Sequence, residues 1–330
     1  MGLNMTKYIV KRCKPYLWIT IVVILLGAIT TIMGNYIYKF IGFVIDYGLN
    51  FTGEEYSGEM AFLFNGLFGD YGSLKLIISI CFCMVFSGLI SYCSALLSCY
   101  IQKRAQNHIA NKYRIEFFKK SIGKKPFCSS GDMMVLLNED IYQVSTIFVS
   151  YYSAIFSSVL SIIYTIFMLN SISGYLLITP IVLSPVLVYF MIKYHKETYR
   201  QNKVYRKVDG ELQNCISEIT ASNNEEGYKE FVDKNEIHTK ERKEVSAVSN
   251  KYSTILNIVK LVIYIISCTV AGVLAINGKI LIGEYLIFTT FINTIFSQIV
   301  TLINNFISIR SAQPRIEKVR AMEEYLNDER

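Results

Sequence analysis

Charge is scarce in this sequence. Of 330 residues, 33 are Lys or Arg and 26 are Asp or Glu, 18% in all, against about 25% in ordinary globular chains. Metal-binding patterns are missing too. There are three histidines, none in ligand spacing, and the eight cysteines include no C-x-x-C pair, which removes zinc-site and redox-motif readings. Five prolines in the whole chain leave little to interrupt long helices. No G-x-x-x-x-G-K-[ST] stretch occurs, so the backbone cradle and lysine that hold nucleotide phosphates are absent. A soluble enzyme, a disordered tail and a secreted disulfide scaffold are all excluded.

What fills the space is apolar: 52% of residues, with a mean hydropathy of +0.35. Uncharged runs of 24 residues separate Lys14 from Lys39, 27 separate Lys75 from Lys103, and 52 separate Asp140 from Lys193. Two more hold 18 residues between Lys260 and Lys279 and 25 between Glu284 and Arg310. About 20 apolar residues cross the hydrocarbon layer as a helix. The run of 52 is too long for one crossing, and Asn170-Ser171-Ile172-Ser173-Gly174 inside it is a cluster of turn formers. Cutting there gives six spans: residues 16–46, 74–102, 141–169, 175–194, 252–276 and 282–309. The expected fold is an all-α membrane protein. The first span lacks a small-x-small cleavage site and is too long for a signal peptide, so it stays in the mature chain.

Basic residues set the orientation. The arm before the first span has four Lys/Arg, residues 103–140 have eight, residues 193–251 have twelve and the tail from Arg310 has five. The loop 50–71 carries Glu54, Glu55, Glu59 and Asp70 and no base. Both termini are therefore expected in the cytoplasm of a plasma (inner) membrane protein. The net charge of +7 needs no nucleic acid; it reads as solvated, lipid-facing basic loops. The cysteines fall in the spans or on the cytoplasmic side and are expected to be reduced.

The two long cytoplasmic connections are the unusual part. Ile109, Tyr113 and Phe117 recur at helical spacing between residues 102 and 122, and Val204, Val208, Leu212 and Ile216 do so between 193 and 218. The spans are expected to continue as helical stalks into the cytosol and reverse through short crossing segments.

Polar side chains also form stripes within the spans. Thr290, Thr294, Ser297, Thr301, Asn304 and Ser308 follow one another every three or four residues in the sixth, with Asn293, Gln298 and Asn305 beside them. Polar groups facing lipid are costly, so this face turns inward, as a cavity wall or as close packing through small residues. Ser150, Ser153, Ser157, Ser161 and Thr165 repeat the pattern in the third span, and the second carries Ser79, Cys83, Ser87, Ser91 and Ser98; there packing is the expected reading. Lys260 in the fifth span either faces the cavity, favouring anionic or amphipathic cargo, or snorkels outward. Lys39 in the first is expected to snorkel or pair locally. No chain of intramembrane acids suggests a proton relay.

Three short segments carry a resemblance. Pro126-Phe127-Cys128-Ser129-Ser130-Gly131-Asp132, followed by Asn138-Glu139-Asp140, resembles the first cytoplasmic turn of the membrane domain of ABC exporters. Ile41-Gly42-Phe43-Val44-Ile45-Asp46 is similar to that family's exit from the first span, and Ser311-Ala312-Gln313-Pro314-Arg315-Ile316-Glu317 to its exit from the sixth. Topology and loop lengths agree over essentially the whole chain. Three departures stand out: one aromatic, Phe127, where the family often has two; Met133 where it usually has an Arg after Gly-Asp; and a second turn, 218–228, without the family's glycine and apolar run.

The resemblance implies six long transmembrane helices extending into the cytosol with two coupling helices that dock on an ATPase domain. Residues 1–15 would be an N-terminal arm, 16–320 the six-span domain and 321–330 the start of a linker to a nucleotide-binding domain. Phe127, Ser130, Gly131, Asp132, Glu218, Asn223 and Tyr228 would couple to that domain, with Phe127 as an apolar knob, Gly131 as the permissive backbone and Asp132 as cap of the next helix. Thr290, Asn293, Thr294, Ser297, Gln298, Thr301, Asn304 and Lys260 would face substrate. No catalytic residue and no metal site is expected in this chain; ATP and Mg2+ would bind the partner ABC ATPase domain or subunit. A second six-span protomer, identical or not, and membrane lipid complete the partners. The implied activity is ATP-driven export of an amphipathic peptide, lipid or drug by alternating access. A channel or secondary transporter and a non-transporting scaffold or sensor remain as alternatives.

Overall fold

A computed structural model describes residues 8, 13–48, 73–125, 127–128, 130–222 and 227–328. The acidic loop 50–71, Pro126, Ser129 and Asn223 lie outside the described residues. Every long element is helical, and no strand occurs among the described residues. Six helices are long and apolar enough to cross a membrane, so the all-α membrane class holds.

A 3-10 turn, Lys14–Tyr16, opens α1 (Leu17–Phe43), which ends in a π turn, Val44–Gly48. The second span is α2 (Ser73–Ser121). The third is assembled from α3 (Ser130–Val135), α4 (Ile141–Thr146) and α5 (Tyr152–Ile172), joined by π turns at Leu136–Asp140 and Ile147–Tyr151. Next come α6 (Ile178–Ser222), α7 (Gly227–Ile276), α8 (Ile282–Ser311) and α9 (Gln313–Asp328). The anticipated cut in the long apolar run is real: α5 stops at Ile172, and Ser173 is extended with φ −161° and ψ 126°.

Stalks are present as well. α2 has 49 residues, α6 45 and α7 50, about 70–75 Å each at 1.5 Å per residue. That is more than twice the hydrocarbon thickness.

The chain divides into two compact units, one formed by the residues up to Pro180 together with those from Ser267 onward, the other by Ile181–Ile266. In the first, α1 packs along α2, α8 against α5, and α1 also touches α5 and α8. Small residues permit this. A Cβ on Gly27 would meet Ser157 Oγ at 2.7 Å, and Ser91 donates to the Thr30 carbonyl at 3.0 Å. The serines of the third span are mostly buried: Ser153, Ser158, Ser161 and Thr165 are at most 3% exposed. Large apolar side chains such as Trp18, Ile21, Phe82, Phe86 and Leu89 are more than half exposed, as the lipid-facing surface of a membrane protein must be.

A separate core lies at the end holding both termini. Ile109, Tyr113 and Phe117 of α2, Ile141, Val144 and Ile147 of the third span, and Ile316, Val319 and Met322 of α9 bury one another. Tyr8 reaches α9 by donating to Glu323. In the second unit α6 and α7 run side by side. His238 Nε2 lies 3.0 Å from both Tyr205 OH and Asp209 Oδ1, and Tyr194 stacks obliquely on Tyr252.

Candidate functional site: a polar crevice, a tight helix contact and an apolar groove

Within the first unit, α1, α2, α5 and α8 leave an open crevice of about 320 Å³. Its polar lining comes from all four helices: Thr30 and Thr31, Ser98 and Gln102, Ser157 and Ser158, Gln298 and Thr301. No charged side chain lines it. The walls offer hydroxyls and primary amides at membrane depth, which can exchange hydrogen bonds with a polar group entering from water or lipid. Of the eight residues expected to face a cavity, Gln298 and Thr301 are in the crevice. Most hydroxyls of the stripe are satisfied along their own helix: Thr294 donates to the Thr290 carbonyl at 3.1 Å and Thr301 to that of Ser297 at 2.9 Å. Asn293 and Asn304 are exposed, and Ser297 is half-buried. Lys260 belongs to the second unit. Thr30, Thr31 and Gln102 had been overlooked; a Thr pair inside an apolar span and the last polar residue before Lys103 were the available signals.

At the ends away from the termini, α1 and α8 are held together by backbone contact. A Cβ on Gly42 would lie 2.9 Å from the Gly283 carbonyl and 2.5 Å from Ile287 Cδ1. One on Gly283 would sit still closer to the Gly42 carbonyl and the Asp46 carboxylate. The N-cap of α8 is Leu281, which has no side-chain acceptor. Asp46 of α1 supplies it instead, receiving the Gly283 N–H at 2.6 Å and the Glu284 N–H. These are the second and third amides of the helix, the ones an N-cap side chain normally satisfies. Glu284 closes the other half by accepting the Leu281 N–H at 2.8 Å. Asp46 is 4% exposed. Lys39, further down α1, lies 5.6 Å over the Tyr36 ring, a local pairing as expected.

The end holding the termini is organised by the segments that carry the resemblance. Asp140, at the end of the first π turn, is paired with Arg315 of α9 at 3.7 Å. A π turn shifts the i→i−4 ladder by one residue and leaves carbonyls to be satisfied elsewhere. Arg114 of α2 donates to the carbonyls of Leu137 and Asn138 at 2.8 and 2.7 Å. At the second π turn, Gln106 donates to Ser150, Ser150 to Gln102 at 3.0 Å, and Tyr142 to Gln106 at 3.3 Å.

Between α2 and α3 the chain reverses. Two expectations fail in this turn. α3 begins at Ser130, two residues before the position expected for the cap, Asp132. Gly131 is not the permissive residue; it is helical, and the left-handed conformation falls on Gly123, with φ 80°. Phe127 is half-buried, its ring centroid 5.4 Å from that of Tyr325 in α9. Tyr325 donates to the Lys125 carbonyl at 3.2 Å, and Lys124 to that of Leu326 at 2.8 Å. Beside them is an open groove of about 280 Å³ with Phe118, Ile122, Phe127 and Met133 on its walls. In the second unit Glu218 and Tyr228 are exposed near the reversal from α6 to α7, where Ile219 packs so closely on Gly227 that a Cβ there would meet it at 2.6 Å.

The family model described as ABC transporter transmembrane region matches residues 16–300. No curated protein matches the chain.

Proposed function

The chain belongs to the family of ABC transporter transmembrane regions, and from that premise we propose that it is the membrane-spanning part of an ATP-driven exporter. The cargo is an amphipathic peptide, lipid or drug, moved outward across the plasma membrane. The base-rich end, with both termini, is on the cytoplasmic side.

One observation carries the reading: an uncharged polar crevice runs from Thr30, halfway along α1, to Gln102, next to the first charge beyond the apolar run of α2, while α1 and α8 touch at the opposite end through Gly42, Gly283 and Asp46. Alternating access needs one side open and the other shut. A wall of hydroxyls and amides backed by apolar helices suits cargo with one polar and one apolar part. Gln298 and Thr301 are the substrate-facing residues best supported, joined by Thr30, Thr31 and Gln102. Lys260 and the remaining residues of the α8 stripe are proposed to face the same cargo at other stages of the cycle.

ATP and Mg2+ bind an ABC ATPase domain, fused or separate. It docks at the groove beside Phe127 and at the α6–α7 reversal with Glu218 and Tyr228; Ser130, Gly131 and Asp132, at the start of α3, are proposed to couple to the same domain. A second six-span protomer completes the pore. The test is co-purification with the ATPase and reconstitution into vesicles. Transport with Phe127→Ala should fall about thirtyfold or more while basal ATP hydrolysis persists, since removing an aromatic anchor at a docking hot spot costs about 2 kcal/mol or more. Unchanged transport would count against this docking role.

A further inference from the structure

Cations gather without counter-charges where the chain enters α1 and where α2 leaves its apolar run. Arg104, His108 and Lys112 recur every four residues on α2, and all three are exposed. That spacing sets them in one row along the helix. Tyr16 packs its ring edge-on to His108, with centroids 6.0 Å apart at 70°. Lys112 Nζ lies 5.7 Å over the same ring. Lys14, also exposed, stands in the 3-10 turn with Tyr16. The chain has no Asp or Glu before Asp46, and none between Lys75 and Glu116. Neither element that builds the row can therefore neutralise it. Glu116, the first acid further along α2, is held by Lys120 at 2.9 Å.

Depth decides what can. Lys103 is the first charge beyond the apolar run of α2. Arg104 is level with that edge, His108 about 6 Å further along the axis and Lys112 about 12 Å. The headgroup layer outside the hydrocarbon is about 5–8 Å thick on each side, and lysine reaches back along its flexible stem. A tyrosine at this level is at home among headgroups.

We propose that this row is a binding site for an anionic phospholipid headgroup. Arg104 and Lys112 pair with its phosphodiester, and His108, Tyr16 and Lys14 flank it. The assignment rests on the cytoplasmic placement of the base-rich end, the leaflet where anionic lipids concentrate, and is independent of ATP coupling.

The full chain is reconstituted in vesicles of equal phosphatidylcholine and phosphatidylglycerol, re-extracted in mild detergent, and its retained lipid quantified by mass spectrometry. Wild type should retain phosphatidylglycerol over phosphatidylcholine by about fivefold or more, the effect of one or two interfacial cations. Arg104→Gln/Lys112→Gln should return the ratio to that of the vesicles. Lys203→Gln/Lys207→Gln, which removes the same charge from the other unit, should keep the enrichment. Equal ratios in wild type and the first variant, or equal losses in both variants, would overturn the site. An excess of inorganic phosphate at matched ionic strength separates the sources: a lipid site keeps its enrichment, and loss of it would mean a site for free phosphate. Should Arg104→Gln/Lys112→Gln fail to fold, Arg104→Glu alone must still lower the ratio. Because no step involves ATP or cargo, failure here and failure of the export reading are separately visible.

Discussion

Replacing Gly283 by alanine sets three effects against one another. A methyl on Gly283 would press into the Gly42 carbonyl and the Asp46 carboxylate. Two of these obstacles cannot yield as a flexible side chain would, because one is backbone and the other is held by two amides. Overpacking of this kind costs about 1–3 kcal/mol. Pushing α8 away also stretches the charge-assisted bond from Gly283 N–H to Asp46, 2.6 Å in the wild type and of a class worth about 1.5–3 kcal/mol. Alanine returns at most about 1 kcal/mol of helix propensity. The net prediction is a loss of about 2–4 kcal/mol from the contact between α1 and α8 at Gly42 and Gly283. The rest of the unit is packed elsewhere, so the result should be a parted outer end in a folded protein. Thr290→Cys, two turns inside the seal, provides the assay in intact cells with a membrane-impermeant thiol reagent. Labelling above the background of the native cysteines should rise several-fold when Gly283→Ala is added, and Asp46→Ala should act in the same direction. A Gly283→Ala protein that labels and melts like wild type would refute the claim that backbone contact is what holds this end shut.

Arg114→Met removes both donors from the carbonyls of Leu137 and Asn138. Since the site is partly exposed, the cost should be about 2 kcal/mol, seen as faster amide exchange over residues 136–144; unchanged exchange would mean that the π turn does not depend on α2. Asn35, 4% exposed, buries an amide nitrogen with no partner in the structure. Asn35→Leu should therefore stabilise the protein by about 1 kcal/mol in a thermal melt, and destabilisation would reveal an occupant of that position.

Span number, the break at Asn170–Gly174 and the stalks were legible because each depends on a long-range property of composition: about 20 uncharged residues make a crossing whatever their order. The three short segments were legible as a pattern, but their physical reason was not. That Asp46 caps α8, and that Asp140 pairs with Arg315, are tertiary facts joining residues far apart in sequence. The first turn misled for a local reason. Ser-Gly-Asp resembles a cap and a reversal, yet α3 already includes it, and the reversal falls on Gly123. The α8 stripe had the right period and told only part of the story, because a threonine can donate to its own helix and needs no cavity. The crevice itself takes two residues from each of four helices in its polar lining, and no single-helix periodicity reports that.

The cap on α8 also has a history during synthesis. Asp46 and Gly283 are 237 positions apart, and a ribosome adding about 5–20 residues per second takes about 10–50 s to cover that distance. For that interval the carboxylate of Asp46 waits at the edge of the first span with no helix terminus to receive. A nascent α1 can meet this by keeping that end at the water surface until α8 arrives. The clasp therefore closes among the last steps of assembly, and chains truncated before α8 would present an uncapped acid that membrane quality control could recognise.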